Sequence, residues 1–232
     1  MEEITDFSLM KKIVAFNGSP RPAGNTSHLL DKFIEGANEN KAEVEVEVLH
    51  PQKMNLKFCT GCLRCNVLRR CSIRDDDWPE VSSKILNANV LVFAAPVYFH
   101  HVPAPMKAML DRFRSFIHVQ ITETGLIHTP WHLWNKDFVL ILSLGSSDAV
   151  DADPVIDLFR FMTSILGENN RLHIITATRL AVVKQVLKTE EELRELYQKM
   201  RLSPELAPSD FLRNQELLEE CRKLGVILGS RT

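Results

Sequence analysis

The chain has 232 residues, 45% of them apolar and 25% charged, with a formal net charge of −2. That length supports one large domain with a buried core, and the near-neutral balance gives no bulk attraction to nucleic acid or to an anionic lipid surface. The longest apolar runs, at 90–99 and 138–144, fall far short of the ~20 residues that cross a bilayer. The acidic start Met1-Glu2-Glu3 has no apolar stretch of a secretory signal. The expectation is a single cytoplasmic domain over 1–232.

In chain order, residues 12–17 make a short apolar strand ending at Gly18. Residues 25–39 predict a helix with Leu29, Leu30, Phe33 and Ile34 on one face. Residues 43–49 alternate, with Val44, Val46 and Val48 on one side and glutamates on the other, the pattern of a half-exposed strand. A helix over 77–88 opens on Asp77, with Glu80 three residues later as a capping box. The continuous apolar run 89–95 reads as a fully buried parallel strand. Residues 104–117 are helical. The stretch 118–136, with Trp131, His132 and Trp134, reads as a long irregular loop, functional as long loops often are, with subunit contact or surface packing as the alternative. A second buried strand follows at 137–144. Residues 154–167 form a helix with Pro154 in its first turn and Gly167 near its end, and 172–176 is a fifth strand. Helices at 189–201 and 209–224, joined through Pro204 and Pro208, make a helical tail of about 189–232. Dimerisation and a lid are both open roles for it.

This alternation argues for an α/β fold, a doubly wound parallel sheet covered by helices on both faces. The half-polar second strand belongs at an edge, and the apolar first, third and fourth strands at the centre. That fits the flavodoxin-like order 2-1-3-4-5 with an extra C-terminal helical tail.

Directly after the first strand stands Asn17-Gly18-Ser19-Pro20-Arg21-Pro22-Ala23-Gly24-Asn25-Thr26-Ser27, with a helix starting at its end. A helix amino end offers unpaired amides and the positive end of its dipole to phosphate. Ser19, Asn25, Thr26 and Ser27 add neutral donors, and Arg21 adds a charged fork. Asn-Thr follows Gly24 where a Walker A loop needs Lys-Ser/Thr. No lysine is placed to reach a triphosphate, so a monophosphate fits best. The alternative is a capped helix on an ordinary turn.

Gly18-Ser19-Pro20-Arg21 followed by Gly24-Asn25-Thr26 closely resembles the phosphate loop of NAD(P)H-dependent FMN reductases and iron–sulfur flavoproteins. A second match follows the third strand, in Ala95-Pro96-Val97-Tyr98-Phe99, Pro103-Ala104-Pro105-Met106-Lys107-Ala108 and Asp111-Arg112. The resemblance implies FMN, with Pro96, Val97, Tyr98 and Phe99 along the isoalloxazine ring. A turn at the carboxyl end of a central strand suits that role. Core packing is the alternative for Tyr98 and Phe99. His100 and His101 carry no assignment, and Asp111 and Arg112 orient helix and loop. By position, the loop at 145–149 closes over the cofactor through Gly145 and Ser146. The resemblance covers about 13–175, and the tail departs from it.

Four of the five cysteines, Cys59, Cys62, Cys65 and Cys71, fall within thirteen residues, and Cys221 stands apart as a structural or surface thiol. Without a secretory signal such a group reads as metal-binding or redox-active. Steps of three, with a fourth cysteine soon after, resemble ferredoxin-type ligation of a [4Fe-4S] cube. Gly61 allows a tight turn, and Ser72 stands where a proline often follows the last ligand. The iron–sulfur flavoprotein resemblance implies one [4Fe-4S] cluster on these four cysteines; zinc and free or redox thiols remain alternatives. Arg64, Arg69, Arg70 and Arg74 are expected to offset a cluster's negative charge, to dock an acidic electron carrier, or simply to form a solvated basic loop.

The leading expectation is an oxidoreductase holding FMN and a [4Fe-4S] cluster and passing electrons to a small-molecule acceptor. No side chain need act as acid or base, because the isoalloxazine carries the chemistry. The alternatives are a cluster-free NAD(P)H-dependent FMN or quinone reductase and a non-enzymatic electron carrier. A ferredoxin-like donor is an expected partner, and nucleic acid and membrane are not. The resemblance implies a homodimer or homotetramer in which cluster and flavin face each other across subunits.

Overall fold

The computed structural model describes residues 10–40 and 44–230; the acidic start at 1–3, Glu43 and the last two residues of the tail lie outside them. From the amino end, β1 (Lys11–Asn17) leads into α1 (Asn25–Ala37), β2 (Val44–Leu49), the four-residue α2 (Cys65–Leu68) and α3 (Trp78–Asn87). Then come β3 (Val90–Pro96), α4 (Ala104–Arg112), β4 (Ile117–Thr122), β5 (Gly125–Pro130), β6 (Asp137–Ser143) and α5 (Asp153–Leu166). The chain ends in β7 (Arg171–Ala177), α6 (Glu190–Lys199) and α7 (Ala207–Gly229).

Five strands pair in parallel in the order β2-β1-β3-β6-β7. This is the flavodoxin-like order expected from the sequence, with a separate hairpin inserted between the third and fourth strands. Successive side chains leave a strand on opposite faces. Phe16, Phe93 and Phe138 therefore pack with α3, α4 and α5 on one face, while Ile13, Val92 and Ile141 pack with α1 and α7 on the other. The valines of β2 grade from buried Val44 to exposed Val48, as an edge strand should. Among the described residues no helix is long and apolar enough to cross a membrane.

The tail closes the second helical layer. α7 runs five residues beyond the expected end, because Gly225 and Gly229 bring it against the backbone of α1. A Cβ on Gly225 would stand 2.0 Å from the Phe33 carbonyl oxygen, and one on Gly36 2.0 Å from that of Arg222. Cys221 lies wholly inside this contact, where burial pushes its thiol up to about 12. The second of the tail helices is thus a layer of the fold and not a lid, and Cys221 is structural.

Three expectations need correction. The stretch 118–136 is not an irregular loop: with Ile117 it holds the antiparallel pair β4–β5, closed by a turn across Thr122 and Gly125. Val119 and Ile121 alternate with polar residues there, a strand pattern. Trp134 lies in the core against Phe116 and Phe138. The helix from 104 ends at Arg112, and the chain tightens into a 3-10 turn, Phe113–Phe116, that buries both of its phenylalanines. The capping box at Asp77 does not form, because its carboxylate accepts the Asn55 amide (2.8 Å) and Glu80 pairs with Lys84. A reciprocal box stands instead at α6, between Thr189 and Glu192.

Gly225→Val should separate α1 from α7. A loss of about 1–3 kcal/mol is expected from overpacking, read as a lower midpoint of chemical unfolding, whereas replacing the exposed Leu212 by serine should leave it unchanged.

Candidate cofactor site

The loops after β1, β3 and β6 emerge on the carboxyl edge of the sheet, where ligands of open α/β sheets bind. After β1, buried polar side chains shape the turn from within. Asn17 accepts the Ser19 amide (3.0 Å) and donates to Ser27 Oγ (3.0 Å). Ser19 Oγ donates to the Arg21 carbonyl (3.0 Å). Gly24 is needed because a Cβ there would stand 2.9 Å from Ser19 Oγ. Gly24 is also the N-cap of α1, so no capping side chain covers the first-turn amides of Asn25, Thr26 and Ser27. These amides are the polar groups the loop presents.

The side chains around them hold the framework. Asn25 Nδ2 donates to the carbonyls of Leu180 (3.1 Å) and Val182 (2.8 Å), and its Oδ1 accepts the Val186 amide (3.0 Å). Thr26 Oγ1 meets Ser143 Oγ at 2.6 Å, joining α1 to the end of β6. Arg21 is exposed and touches the Ala181 carbonyl at 3.3 Å. The segment 180–186 was not singled out from the sequence; its backbone carries the Asn25 contacts, which leave no side-chain signal.

After β3, Pro96 and Val97 continue the strand line, with the Val97 amide bonded to the Ser143 carbonyl (2.9 Å). Tyr98 and His101 then pair across a two-residue turn whose Phe99 (φ 48°) and His100 (φ 59°) are both left-handed. Non-glycine residues held there are strained, a feature that clusters at ligand sites. The Phe99 side chain is fully exposed and Tyr98 half so; neither is core. After β6, Gly145 packs on Ala181, and the Ser146 carbonyl accepts the Arg179 amide (2.8 Å).

The cysteines follow β2 on the same edge, where Gln52 Nε2 donates to the Ser19 carbonyl (2.9 Å). Cys59 and Cys62 are exposed, Cys71 is half-buried, and Cys65, at the start of α2, is buried. All four line one small cavity with Arg112, Arg114 and Ser115. The Ser72 hydroxyl, 3.5 Å from Cys62 Sγ, holds that thiol below its usual value, aided by the Arg64 backbone. Burial pushes the Cys65 thiol up, against the pull of Arg114. Among the described residues no three His, Cys, Asp or Glu side chains converge closely enough for a single metal ion.

Arg64, Arg69, Arg70 and Arg74, expected to surround the cysteines, are exposed, and Arg69 lies over Trp131 at 5.2 Å. The guanidiniums lining the cavity come instead from Arg112 and Arg114. Arg112 has no exposed side-chain surface; it binds Asp76 (2.6 Å) and the carbonyls of Lys57 (2.7 Å) and Ile73 (3.2 Å). Burial raises the Asp76 carboxyl, but Arg112 and the Lys57 amide together hold it below its usual range. Arg112 thus ties the helix to both ends of the cysteine loop, as expected of an orienting residue.

The sequence model of the family described as NADPH-dependent FMN reductase matches residues 11–178. The chain belongs to the NADPH-dependent FMN reductase family. The match takes in all five sheet strands, the three edge loops and the cysteine segment, and stops before α6. The chain is 35% identical over 107 residues to an iron-sulfur flavoprotein of Archaeoglobus fulgidus, covering 46% of this chain and 47% of that one. It is 35% identical over 103 residues to an iron-sulfur flavoprotein of Methanocaldococcus jannaschii, covering 44% and 52%. The matched region spans about half the length of these curated relatives. A solved FMN-dependent NADH-azoreductase of Bacillus anthracis in complex with FMN superposes over 95% of this chain and 100% of that one, with a TM-score of 0.60 at 18% identity. At that identity the likeness is one of fold.

Asn25→Ala should destabilise the ligand-free protein by about 1–3 kcal/mol, because it leaves buried main-chain groups of 180–186 unsatisfied. Denaturant unfolding without any flavin measures this; unchanged stability would contradict the framework role.

Proposed function

We propose that this member of the family is a flavin-dependent oxidoreductase of the cytoplasm, holding FMN on the edge loops and a [4Fe-4S] cluster on Cys59, Cys62, Cys65 and Cys71. The observation that carries the reading is that all four cysteines line one cavity, on the sheet edge that also presents the uncapped amino end of α1. Zinc needs its donors drawn round one point. A cube takes one thiolate at each of four separate corners, so an all-sulfur set gathered loosely round a cavity fits it better. Cysteines grouped for a cluster rather than for a disulfide framework suit a reducing compartment.

When bound, the flavin supplies two-electron chemistry and the cluster single-electron chemistry. The chain's residues bind and orient. The amides of 25–27 and the Arg21 guanidinium take the phosphate charge, with Ser19, Asn25, Thr26 and Ser27 holding the loop in shape. Pro96, Val97, Tyr98 and Phe99 would lie along the ring and limit water, and Gly145 and Ser146 would close over the cofactor. No side chain is required as acid or base. NAD(P)H is one electron source and a small molecule the acceptor. A ferredoxin-like donor is the other source: Arg64, Arg70 and Arg74 of the cysteine segment are exposed, as are Phe58 and Val67, basic and apolar groups suited to an acidic carrier. The exposed Ile121, Leu126 and Ile127 of the hairpin offer a contact for a homodimer or homotetramer.

Anaerobic purification tests this reading. The heat-released cofactor should have the mass of FMN, with iron and sulfide present; FAD at full occupancy would sink the monophosphate argument. Cys65→Ala should lose the broad visible absorption of the cluster and keep the flavin bands. An iron-free wild type that oxidises NAD(P)H would leave the cluster-free FMN or quinone reductase, and a loaded protein inert toward NAD(P)H and small acceptors would leave an electron carrier.

Arg21→Ala should weaken FMN far more than riboflavin, since a charged phosphate hydrogen bond contributes roughly 1.5–3 kcal/mol. Fluorescence titration of both ligands measures it, and equal losses would remove Arg21 from the phosphate.

A further inference from the structure

We propose that Arg114 is a positioning residue for the cluster, donating an N–H···S bond to the Cys65 sulfur and setting the potential at which the cluster accepts an electron. The inference rests on the reading that the four cysteines hold a [4Fe-4S] group. Arg114 Nη1 lies 3.5 Å from Cys65 Sγ and 2.8 Å from the Ile117 carbonyl, and its Nη2 lies 2.9 Å from Asn66 Oδ1. Asn66 in turn donates to the Val119 carbonyl (2.8 Å) and accepts the Val119 amide (3.1 Å). The guanidinium is therefore clamped between α2, which carries Cys65, and β4.

Charge separates Arg114 from its neighbours. Arg112 lines the same cavity, but Asp76 already matches its charge inside the protein. Arg64, Arg69, Arg70 and Arg74 are exposed, where water and salt screen them. Among the described residues the partners of Arg114 are a sulfur, a carbonyl and an amide oxygen, with no carboxylate. It is thus a half-buried cation left to balance the thiolates. When Cys65 binds as a ligand it loses the proton it now offers to the Arg114 carbonyl at 3.8 Å. The Nη1 bond then gains a charged acceptor and strengthens.

A four-thiolate cluster is net negative, and reduction adds one more negative charge. A fixed cation against a ligand sulfur favours the reduced form and raises the potential. One electron arrives from an external reductant, and no bond is made or broken.

The test purifies wild type, Arg114→Gln, Arg114→Lys and Arg74→Gln anaerobically, measures iron, sulfide and flavin, and titrates each with dithionite while following the reduced cluster by electron paramagnetic resonance. The expected result is a more negative midpoint for Arg114→Gln at unchanged iron and flavin content, partial recovery in Arg114→Lys, and a smaller shift for Arg74→Gln. A wild-type midpoint in Arg114→Gln overturns the proposal. If Arg114→Gln loses iron, Arg114→Lys decides: iron held near the wild-type midpoint supports the charge role, and iron lost from both with flavin retained makes Arg114 a packing residue. A wild type without iron overturns the cluster reading and this assignment together, whereas a loaded wild type with indifferent variants overturns only the assignment.

Discussion

The cysteine loop depends on one ion pair. Asp76 and Arg112 meet at 2.6 Å with no exposed surface on either side chain. Burying two charges is costly unless geometry and extra hydrogen bonds compensate, and here further bonds meet every group of the pair except Arg112 Nε. Arg112 also binds the carbonyls of Lys57 and Ile73, Asp76 accepts the amides of Lys57 and Trp78, and the Trp78 ring lies 5.2 Å from the guanidinium. The loop between Lys57 and Ile73 exposes most of its side chains, so apolar burial gives it little support. The pair clasps its two ends together and to α4, and within that clasp the four sulfurs share a cavity.

A second constraint acts on the loop after β1. Its polar side chains are buried, yet they spend their hydrogen bonds on one another and on neighbouring backbone. A buried polar network that satisfies itself is rigid. The first-turn amides of α1 are thereby fixed in direction, a preorganisation that would lower the ordering cost of the proposed anion binding. The left-handed Phe99 and His100 express the same economy differently: strain is held in a short turn by the Tyr98–His101 pairing, so that the ring of Phe99 stands clear of the core.

The sheet was legible because its central strands bury both faces: 90–95 and 138–142 are unbroken apolar runs, and a buried parallel strand has no other signature. The loop after β1 and the cysteine segment stood out because their residues are consecutive in the chain. What was not legible acts across distance or competition. Asp77 fits a capping box by spacing, but the Asn55 amide, 22 residues earlier, claims its carboxylate. Trp131, His132 and Trp134 suggested a functional loop at 118–136, while the short alternation of Val119 and Ile121 was the physical signal. Arginines next to the cysteines in sequence point outward, and Arg114, 49 residues from Cys65, reaches the sulfur. No local pattern encodes that contact, because the fold of α4 and the 3-10 turn after it creates it.

The tail bears on the site although it lies outside the family match. α1 carries its uncapped first-turn amides at the sheet edge, and its position is set from both ends. Its amino end is fixed by Asn25 to residues 180–186, the segment leading into α6. Its other end is fixed by backbone contact at Gly36, Gly225 and Gly229 and by the pairing of Arg222 with Glu39. Gln185 of that segment is held in turn by Tyr197 of α6, which donates to the buried Asp210 of α7. The helices beyond the fifth strand therefore grip α1 at both ends. A fold that ended at β7 would lack α7 on the α1 face of the sheet and leave the amino end of α1 without these anchors, so the extension supports the edge loops from behind the helix rather than from over them.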